Sequence, residues 1–334
     1  MKYKVGIFGG SFNPLHIGHI NCIISAANMC YELYIIISIG YRRNEVSGRI
    51  RYRWLYQITK HFGNIKIITI EDDAETKTAY TEEYWRCDAD RVKNQIGKHI
   101  DVVFCGSDYE YDNFWKRCYP ESEIYIFQRN EICSTEIRRN PYAHWDWIPN
   151  IVRPHYVKKI LLTGGESTGK TTLTINLANR FNTNYINEAG REISQRSGTD
   201  QLMLPDDFTE ILLQHKLNEL KAVKQSNKFL FIDTNALITL FFMEFFNDPG
   251  IAKNRILSDA IDELNDYDLI LFLEPDVPFI QDGDRSEIVR DNREKYSNRI
   301  KELILEHGKK YLILEGSYQE KYEKATREVL KLLN

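Results

Sequence analysis

No cysteine follows Cys133 in this chain of 334 residues, and the six present (Cys22, Cys30, Cys87, Cys105, Cys118, Cys133) form no C-x-x-C pair. No histidine stands at zinc-ligand spacing from them, so a zinc ribbon or finger is excluded and the thiols are expected to be reduced and mostly buried. Neither sign of charge dominates: 44 Lys and Arg against 48 Asp and Glu give a formal net charge of −4. That balance leaves no basic stripe of the kind that duplex DNA binding usually leaves in a sequence, so no nucleic-acid partner is expected. Long apolar runs are missing too. Ala236–Phe246 is the most apolar stretch and falls well short of the roughly 20 residues that span a bilayer, so a buried helix and no membrane partner are expected. The first residues enter a strand pattern without the basic and apolar segments of a signal peptide, which makes the cytoplasm the expected location. Internal repeats and low-complexity segments are absent.

What is present is an alternation. Apolar, β-rich runs recur at Tyr3–Phe8, Leu33–Ile39, Ile65–Ile70, Val102–Cys105 and Ile124–Phe127, with helix-length segments between them. A second series follows at Ile160–Thr163, Asn184–Ile186, Phe229–Ile232, Leu269–Leu273 and Tyr311–Leu314. The pattern predicts two α/β domains, each a parallel sheet covered by helices, with ligands at the carboxyl ends of the strands. Each half is long enough to bury its own core. Pro141–Pro154, PYAHWDWIPNIVRP, interrupts the alternation and sets a boundary between domain 1–150 and domain 151–334. Its Tyr142, Trp145 and Trp147 predict a packed connector, because a flexible linker would be polar and rich in Gly and Ser.

The first chemical motif follows the first apolar run. Gly9-Gly10-Ser11-Phe12-Asn13-Pro14 leads, one residue on, into His16-Ile17-Gly18-His19. The glycines let backbone approach a phosphate, and Gly18 leaves room for two imidazoles that face one triphosphate from a helix start. Later, Ser134-Thr135-Glu136-Ile137-Arg138 places two hydroxyls at a helix start and an arginine one turn in, a geometry that suits phosphate oxygens. A plain helix cap with a surface arginine is the alternative for that segment. GGSFNPLHIGH together with CSTEIR resembles the nucleotidylyltransferase superfamily, which transfers a nucleotidyl group from a nucleoside triphosphate. The resemblance implies in-line attack on the α-phosphorus of ATP, with His16, His19 and Arg138 neutralising phosphate charge and Mg²⁺ assisting. It also implies that Gly106 and Asp108, at a strand end, hold the ATP nucleoside. Trp85 is a candidate to stack on the flat ring of the second substrate, with ordinary core packing as the alternative. Arg51 and Arg53 are read as either phosphate contacts or a solvated basic face.

The second motif, Gly164-Gly165-Glu166-Ser167-Thr168-Gly169-Lys170-Thr171 with Thr172 next, satisfies G-x-x-x-x-G-K-[ST] between an apolar strand and a helical pattern. Loop N–H groups would cradle phosphates, Lys170 would reach the β and γ oxygens, and the Thr171 hydroxyl would hold Mg²⁺. Asp233 ends an apolar strand and is a candidate Mg²⁺ contact or base. Glu188 is an equal candidate for base, and Arg191 a substrate or phosphate contact. Arg285, beside Gly283 in QDGDR, suits a lid that brings charge to the γ-phosphoryl group, with a plain loop as the alternative. No motif supports transport or mechanical use of ATP, so a small-metabolite kinase is expected.

The order of the two modules resembles the NadR-type bifunctional enzymes of NAD synthesis. The likeness covers nearly the whole chain: the HIGH region, STEIRRNP, WDWIPNIVRP, GGESTGKT, NEAGRE, FIDT and QDGDR. It implies a Rossmann-like HIGH-motif nucleotidylyltransferase followed by a P-loop kinase, with ATP and Mg²⁺ as cofactors. The kinase would convert nicotinamide riboside to nicotinamide mononucleotide, which the transferase would adenylylate to NAD. Some members begin with a helix-turn-helix domain, whereas this sequence starts at the transferase strand, so a DNA-binding role is not expected. A coenzyme A synthase (pantetheine-phosphate adenylyltransferase plus dephospho-CoA kinase) has the same module order, and a nucleotide-sensing regulator without turnover is a third reading. The sequence leaves the oligomeric state open, a homo-oligomer included.

Overall fold

A computed structural model describes residues 1–40, 45–72, 81–107, 114–128, 131–197, 202–279 and 291–333. The chain divides into two compact units, Met1–Val152 and Arg153–Asn334.

The first unit is built on strands β1 (Tyr3–Gly10), β2 (Cys30–Gly40), β3 (Ile65–Asp72), β4 (Val102–Gly106) and β5 (Glu123–Phe127). They form one sheet in the order β3-β2-β1-β4-β5, and every pairing is parallel. β1 is central, with Phe8 opposite Ile35 on one side and Phe104 on the other. Because helices cover both faces of a parallel sheet, its strands read as unbroken apolar runs. Ile7, Leu33, Ile35, Ile37, Val103 and Phe104 are accordingly buried. Three of the six thiols are buried (Cys30, Cys105, Cys118), two are half-buried and Cys87 is exposed, so burial is less general than expected. Burial pushes Cys30 and Cys105 up to about 11, which keeps them protonated at neutral pH.

The second unit carries β6 (Lys158–Gly164), β7 (Tyr185–Ile186), β8 (Phe229–Asp233), β9 (Leu269–Leu273) and β10 (Leu312–Leu314). Their order is β10-β9-β6-β8-β7, again parallel throughout. The ten apolar runs of the sequence thus correspond to the ten strands. Ala236–Phe245 is a helix with seven buried residues, packed by the helices Pro205–Ala222, Ile251–Glu263 and Arg293–Glu306. An apolar surface on all sides requires such burial. The helix's one charge, Glu244, is paired with Arg299 at 3.0 Å and Arg255 at 2.6 Å. Among the described residues, no helix is long and apolar enough to cross a membrane.

The connector is packed. Trp145, Ile148 and Val152 are buried, Tyr142 stacks on Trp145 and His144 on Trp147, and short 3-10 turns cover Trp145–Trp147 and Arg153–His155.

Candidate active sites

In each unit the loop after the central strand emerges at the carboxyl edge of the sheet, where open α/β sheets bind ligands. After β1 the chain runs through Ser11 and buried Phe12 to His16, which caps the helix Ile17–Met29. His16 Nδ1 accepts from the His19 backbone N–H at 3.3 Å, and His19 Nδ1 accepts from the His16 N–H at 3.4 Å. The two rings stack with centroids 3.6 Å apart, and Phe12 packs edge-on against His19. Since each Nδ1 accepts a backbone proton, the neutral imidazoles carry their own proton on Nε2. Both rings line a cavity of about 630 Å³ and so offer it donors. A Cβ at Gly18 would lie 3.1 Å from the His16 ring, so a larger residue between the histidines would press that ring a few tenths of an ångström out of place.

The helix Ser134–Arg139 closes the same cavity. Its hydroxyls make no side-chain cap: Ser134 Oγ donates to the Pro14 carbonyl at 3.1 Å and Arg138 Nη2 donates to Thr135 at 3.1 Å. Arg138 Nη1 donates to the Asn13 carbonyl. The arginine is thereby tied to the GGSFNP turn across more than a hundred residues of sequence. Gly9, Gly10, Gly106 and Trp85 also line the cavity. Trp85 is half-buried, packed edge-on to Phe114 at 4.4 Å and Trp115 at 5.2 Å, so it serves the core and the cavity wall together. Asp108 lies outside the described residues.

Arg51 is neither of the things the sequence suggested. It is buried in the helix Gly48–Thr59, where it donates to the carbonyls of Val46 at 2.7 Å, Ser11 at 2.5 Å and Ser38 at 3.0 Å. Glu45 completes the cluster at 3.2 Å. The carbonyls after β1 and near the end of β2 need donors, and one planar guanidinium satisfies both. Arg53 is exposed.

In the second unit the turn after β6 leads to the helix Lys170–Arg180, whose cap Gly169 has φ +89°. Backbone N–H groups at a helix start attract anions. Gly164 has φ +141°, and a Cβ there would lie 2.6 Å from the Leu273 carbonyl of the neighbouring strand β9. Lys170 Nζ donates to the Gly165 carbonyl at 2.9 Å, and Thr168 to the same carbonyl at 3.0 Å. Thr171 Oγ1 donates to Asp233 Oδ2 at 2.5 Å.

Asp233 is fully buried at the end of β8. Burial and the neighbouring Glu188 charge raise its pKa to about 6, against the pull of Lys170, the Thr171 hydrogen bond and Arg191. Its Oδ1 has no hydrogen-bond partner among the described residues. The Thr171 hydroxyl and the Asp233 carboxylate, with one oxygen unsatisfied, make a hard oxygen pair that suits Mg²⁺, which takes few protein ligands when phosphates supply the rest. Glu166, Ser167, Thr172, Glu188 and Arg191 line the same cavity of about 300 Å³, with Phe241, Phe242, Phe246 and Tyr296 as an aromatic wall. Arg285 lies outside the described residues.

Three residues at these cavities escaped the sequence reading. Trp115 lines the first, and the aromatic pair Phe114-Trp115 was its available signal. Arg293 donates to the Ser167 carbonyl at 3.2 Å and to Val277 at 2.7 Å, bracing the phosphate loop from a distant helix. His215 lines the second cavity from the helix Pro205–Ala222, and a lone histidine in a helical pattern gives no signal.

Residues 7–156 match the Cytidylyltransferase-like family and residues 159–321 the AAA domain family. The trifunctional NAD biosynthesis/regulator protein NadR of Escherichia coli strain K12 is 28% identical over 348 residues, covering 99% of this chain and 84% of that protein. A phosphopantetheine adenylyltransferase of Wigglesworthia glossinidia brevipalpis is 36% identical, but over only 22% of this chain and 44% of its own length. Among solved structures, a NadR protein in complex with NR superposes with a TM-score of 0.82 at 23% identity, covering 100% of this chain and 96% of that one. That likeness extends the shared fold through both units. The chain thus joins a cytidylyltransferase-like unit to an AAA-domain unit, and is similar to NadR proteins over nearly its whole length.

Proposed function

We propose that the chain is a bifunctional enzyme of NAD synthesis. Its second unit phosphorylates nicotinamide riboside with ATP, and its first transfers an adenylyl group from ATP to the resulting nicotinamide mononucleotide, giving NAD and pyrophosphate. The observation that carries the reading is the alignment of 99% of the chain with a NAD biosynthesis protein. The likeness to phosphopantetheine enzymes stops at 36% of the chain, which is a shared adenylyl-transfer module and offers a coenzyme A synthase no second half.

In the first unit the nucleophile is already an anionic phosphate, so the protein's task is to orient it and to stabilise charge. His16 and His19 donate from Nε2 to phosphate oxygens, and Arg138, tied to the GGSFNP turn, adds a fixed positive charge. Gly9, Gly10 and Ser11 let the backbone approach ATP, while Trp85 flanks the flat ring of the mononucleotide. In the second unit the acceptor is a neutral hydroxyl that must lose a proton. Asp233 is held by Thr171, and together these two would hold Mg²⁺, which when bound neutralises charge on the transferred phosphoryl group. Glu188, half-buried in the cavity wall, then takes the role of base. Lys170 leaves the Gly165 carbonyl for the β and γ oxygens, and Arg191 contacts the substrate. A cytoplasmic location follows from the supply of ATP that both reactions consume.

The test is product analysis of the purified chain with nicotinamide riboside, ATP and Mg²⁺, and with 4′-phosphopantetheine in parallel. NAD and pyrophosphate from the riboside are expected. Dephospho-CoA from the second mixture, with nothing from the first, would overturn the proposal.

A further inference from the structure

The phosphate loop of the second unit is held from outside its cavity by the helix Arg293–Glu306. Arg293, the first residue of that helix, donates from Nη2 to the Ser167 carbonyl at 3.2 Å and from Nη1 to the Val277 carbonyl at 2.7 Å. Its guanidinium lies 5.7 Å from the centre of the Phe279 ring. Ser297, four residues on and therefore on the same helix face, is buried, and its hydroxyl stands 3.7 Å from where a Cβ of Gly165 would be. One helix face thus backs the loop at both Gly165 and Ser167. Ser167 and Thr168 line the cavity, whereas Arg293 is not among its lining residues.

The conformation held there is one that the loop adopts at an energetic cost. Ser167 has φ +57°, in the left-handed region that residues with a side chain seldom occupy. Its carbonyl belongs to the same planar, trans peptide as the Thr168 N–H, and the two point to opposite sides of the chain. An arginine on the oxygen therefore also fixes the direction of the N–H, which turns away from Arg293 toward the inner side of the turn. The positive charge polarises that peptide and makes its N–H the stronger donor. Since backbone N–H groups of such a turn attract phosphate, Arg293 can act on a phosphate that it does not touch.

We propose that Arg293 is a positioning residue for phosphoryl transfer: it presets the peptide between Ser167 and Thr168, so that the loop meets ATP with its N–H groups already oriented. This role rests on the riboside-kinase reading and adds a residue that governs nucleotide affinity through the backbone. Donors set in advance serve ATP in the ground state and the transition state alike, so loss of Arg293 should fall on KM for ATP and far less on kcat. A merely structural role predicts something else. Tyr296 and Ile300 of the same helix line the cavity, so a variant that only loosened the helix would disturb both substrates together.

The experiment measures kcat, KM for ATP and KM for nicotinamide riboside in wild type, Arg293→Met and Arg293→Lys. The Kd of Mg²⁺-ADP without riboside, adenylyl transfer and the urea midpoint are measured alongside. Arg293→Met should lose about 10- to 100-fold in kcat/KM for ATP, through KM, and bind Mg²⁺-ADP more weakly by a similar factor. KM for the riboside and adenylyl transfer should change little. Arg293→Lys keeps the charge without the planar fork that spans two carbonyls, and should recover part of the affinity. Unchanged KM for ATP in Arg293→Met, or equal rises in KM for both substrates, would overturn the proposal and leave the kinase reading standing. Absence of riboside phosphorylation by wild type would overturn the kinase reading, while the Mg²⁺-ADP affinities would still decide the role of Arg293. Should Arg293→Met fail to fold, Arg293→Lys decides: wild-type KM for ATP and wild-type affinity for Mg²⁺-ADP refute the role.

Discussion

Replacing Asp233 with asparagine should abolish riboside phosphorylation and at the same time stabilise the second unit, in a way that depends on pH. The side chain is fully buried, and its pKa rises from the ordinary 3.8 to about 6 through burial and the nearby Glu188 charge. That rise corresponds to a penalty of about 3 kcal/mol on the charged form in the folded state. Above pH 6 the folded chain carries the full penalty. As pH falls from 6 toward 4 the folded carboxyl takes up a proton that the unfolded one still lacks, so wild type gains stability over that window. Below it the carboxyl is protonated in both states and the penalty is gone. Asparagine keeps the shape and can still accept the Thr171 hydrogen bond, without the charge. Its advantage over wild type should be about 3 kcal/mol at pH 8 and close to zero by about pH 4. Urea unfolding of the metal-free protein measures this. All five tryptophans (Trp54, Trp85, Trp115, Trp145, Trp147) belong to the first unit, so their fluorescence should not register the change, whereas far-UV circular dichroism should. An advantage that is absent at pH 8, or that persists undiminished at pH 4, would refute the claim that a buried charge is held here at a cost.

The remaining substitutions separate the two units and test their frames. Lys170→Ala should remove riboside phosphorylation and leave adenylyl transfer, while His19→Ala should do the reverse, with a loss on the order of 10²-fold; loss of both activities in either folded variant would refute two independent sites. Gly18→Ala would press a Cβ to 3.1 Å from the His16 ring, so adenylyl transfer should fall without a change in the urea midpoint. Arg51→Met strips a buried ion pair and three carbonyl contacts, and should cost about 3–5 kcal/mol because a buried charge pair is broken from one side. Trp54 lies on the same helix, so tryptophan fluorescence reads that loss directly.

The fold was legible because strands of a covered parallel sheet are continuous apolar runs, and the loops after β1 and β6 carry glycine patterns whose physical need is local. Gly164, pressed against the Leu273 carbonyl, is such a need. What the sequence hid depends on groups that meet only after folding. In the segment Arg49-Ile50-Arg51-Tyr52-Arg53, three arginines alternate, and nothing in that pattern says that the middle one turns inward. The choice is made by carbonyls of Ser11 and Ser38, brought together by the pairing of β1 with β2. Arg293 was hidden for the same reason, since its partner Ser167 is more than a hundred residues away. The tie between Arg138 and Asn13 is equally non-local, although each motif was visible alone.

The two sites also differ in a way that their reactions require. Both begin as a turn at the end of a central strand, and both offer backbone and positive charge to phosphates. The first cavity adds two imidazoles that are locked to each other's backbone, and its carboxylate among the described residues, Asp88, is turned to Arg91 at 3.3 Å. The second adds the carboxylates of Glu166 and Glu188, with Asp233 at the strand end so buried that it ionises reluctantly. An anionic phosphate nucleophile needs no base, and a carboxylate facing it would repel it. A sugar hydroxyl needs a base, and a metal-binding carboxylate is most effective where water is excluded. The placement of acidic residues therefore separates the adenylyl-transfer site from the phosphoryl-transfer site independently of either glycine motif. An acidic residue introduced beside the histidines, as in Ser11→Asp, should depress adenylyl transfer through KM for ATP, with riboside phosphorylation unchanged. Unaltered KM for ATP in that variant would show that this cavity is not where the nucleotide's phosphates sit.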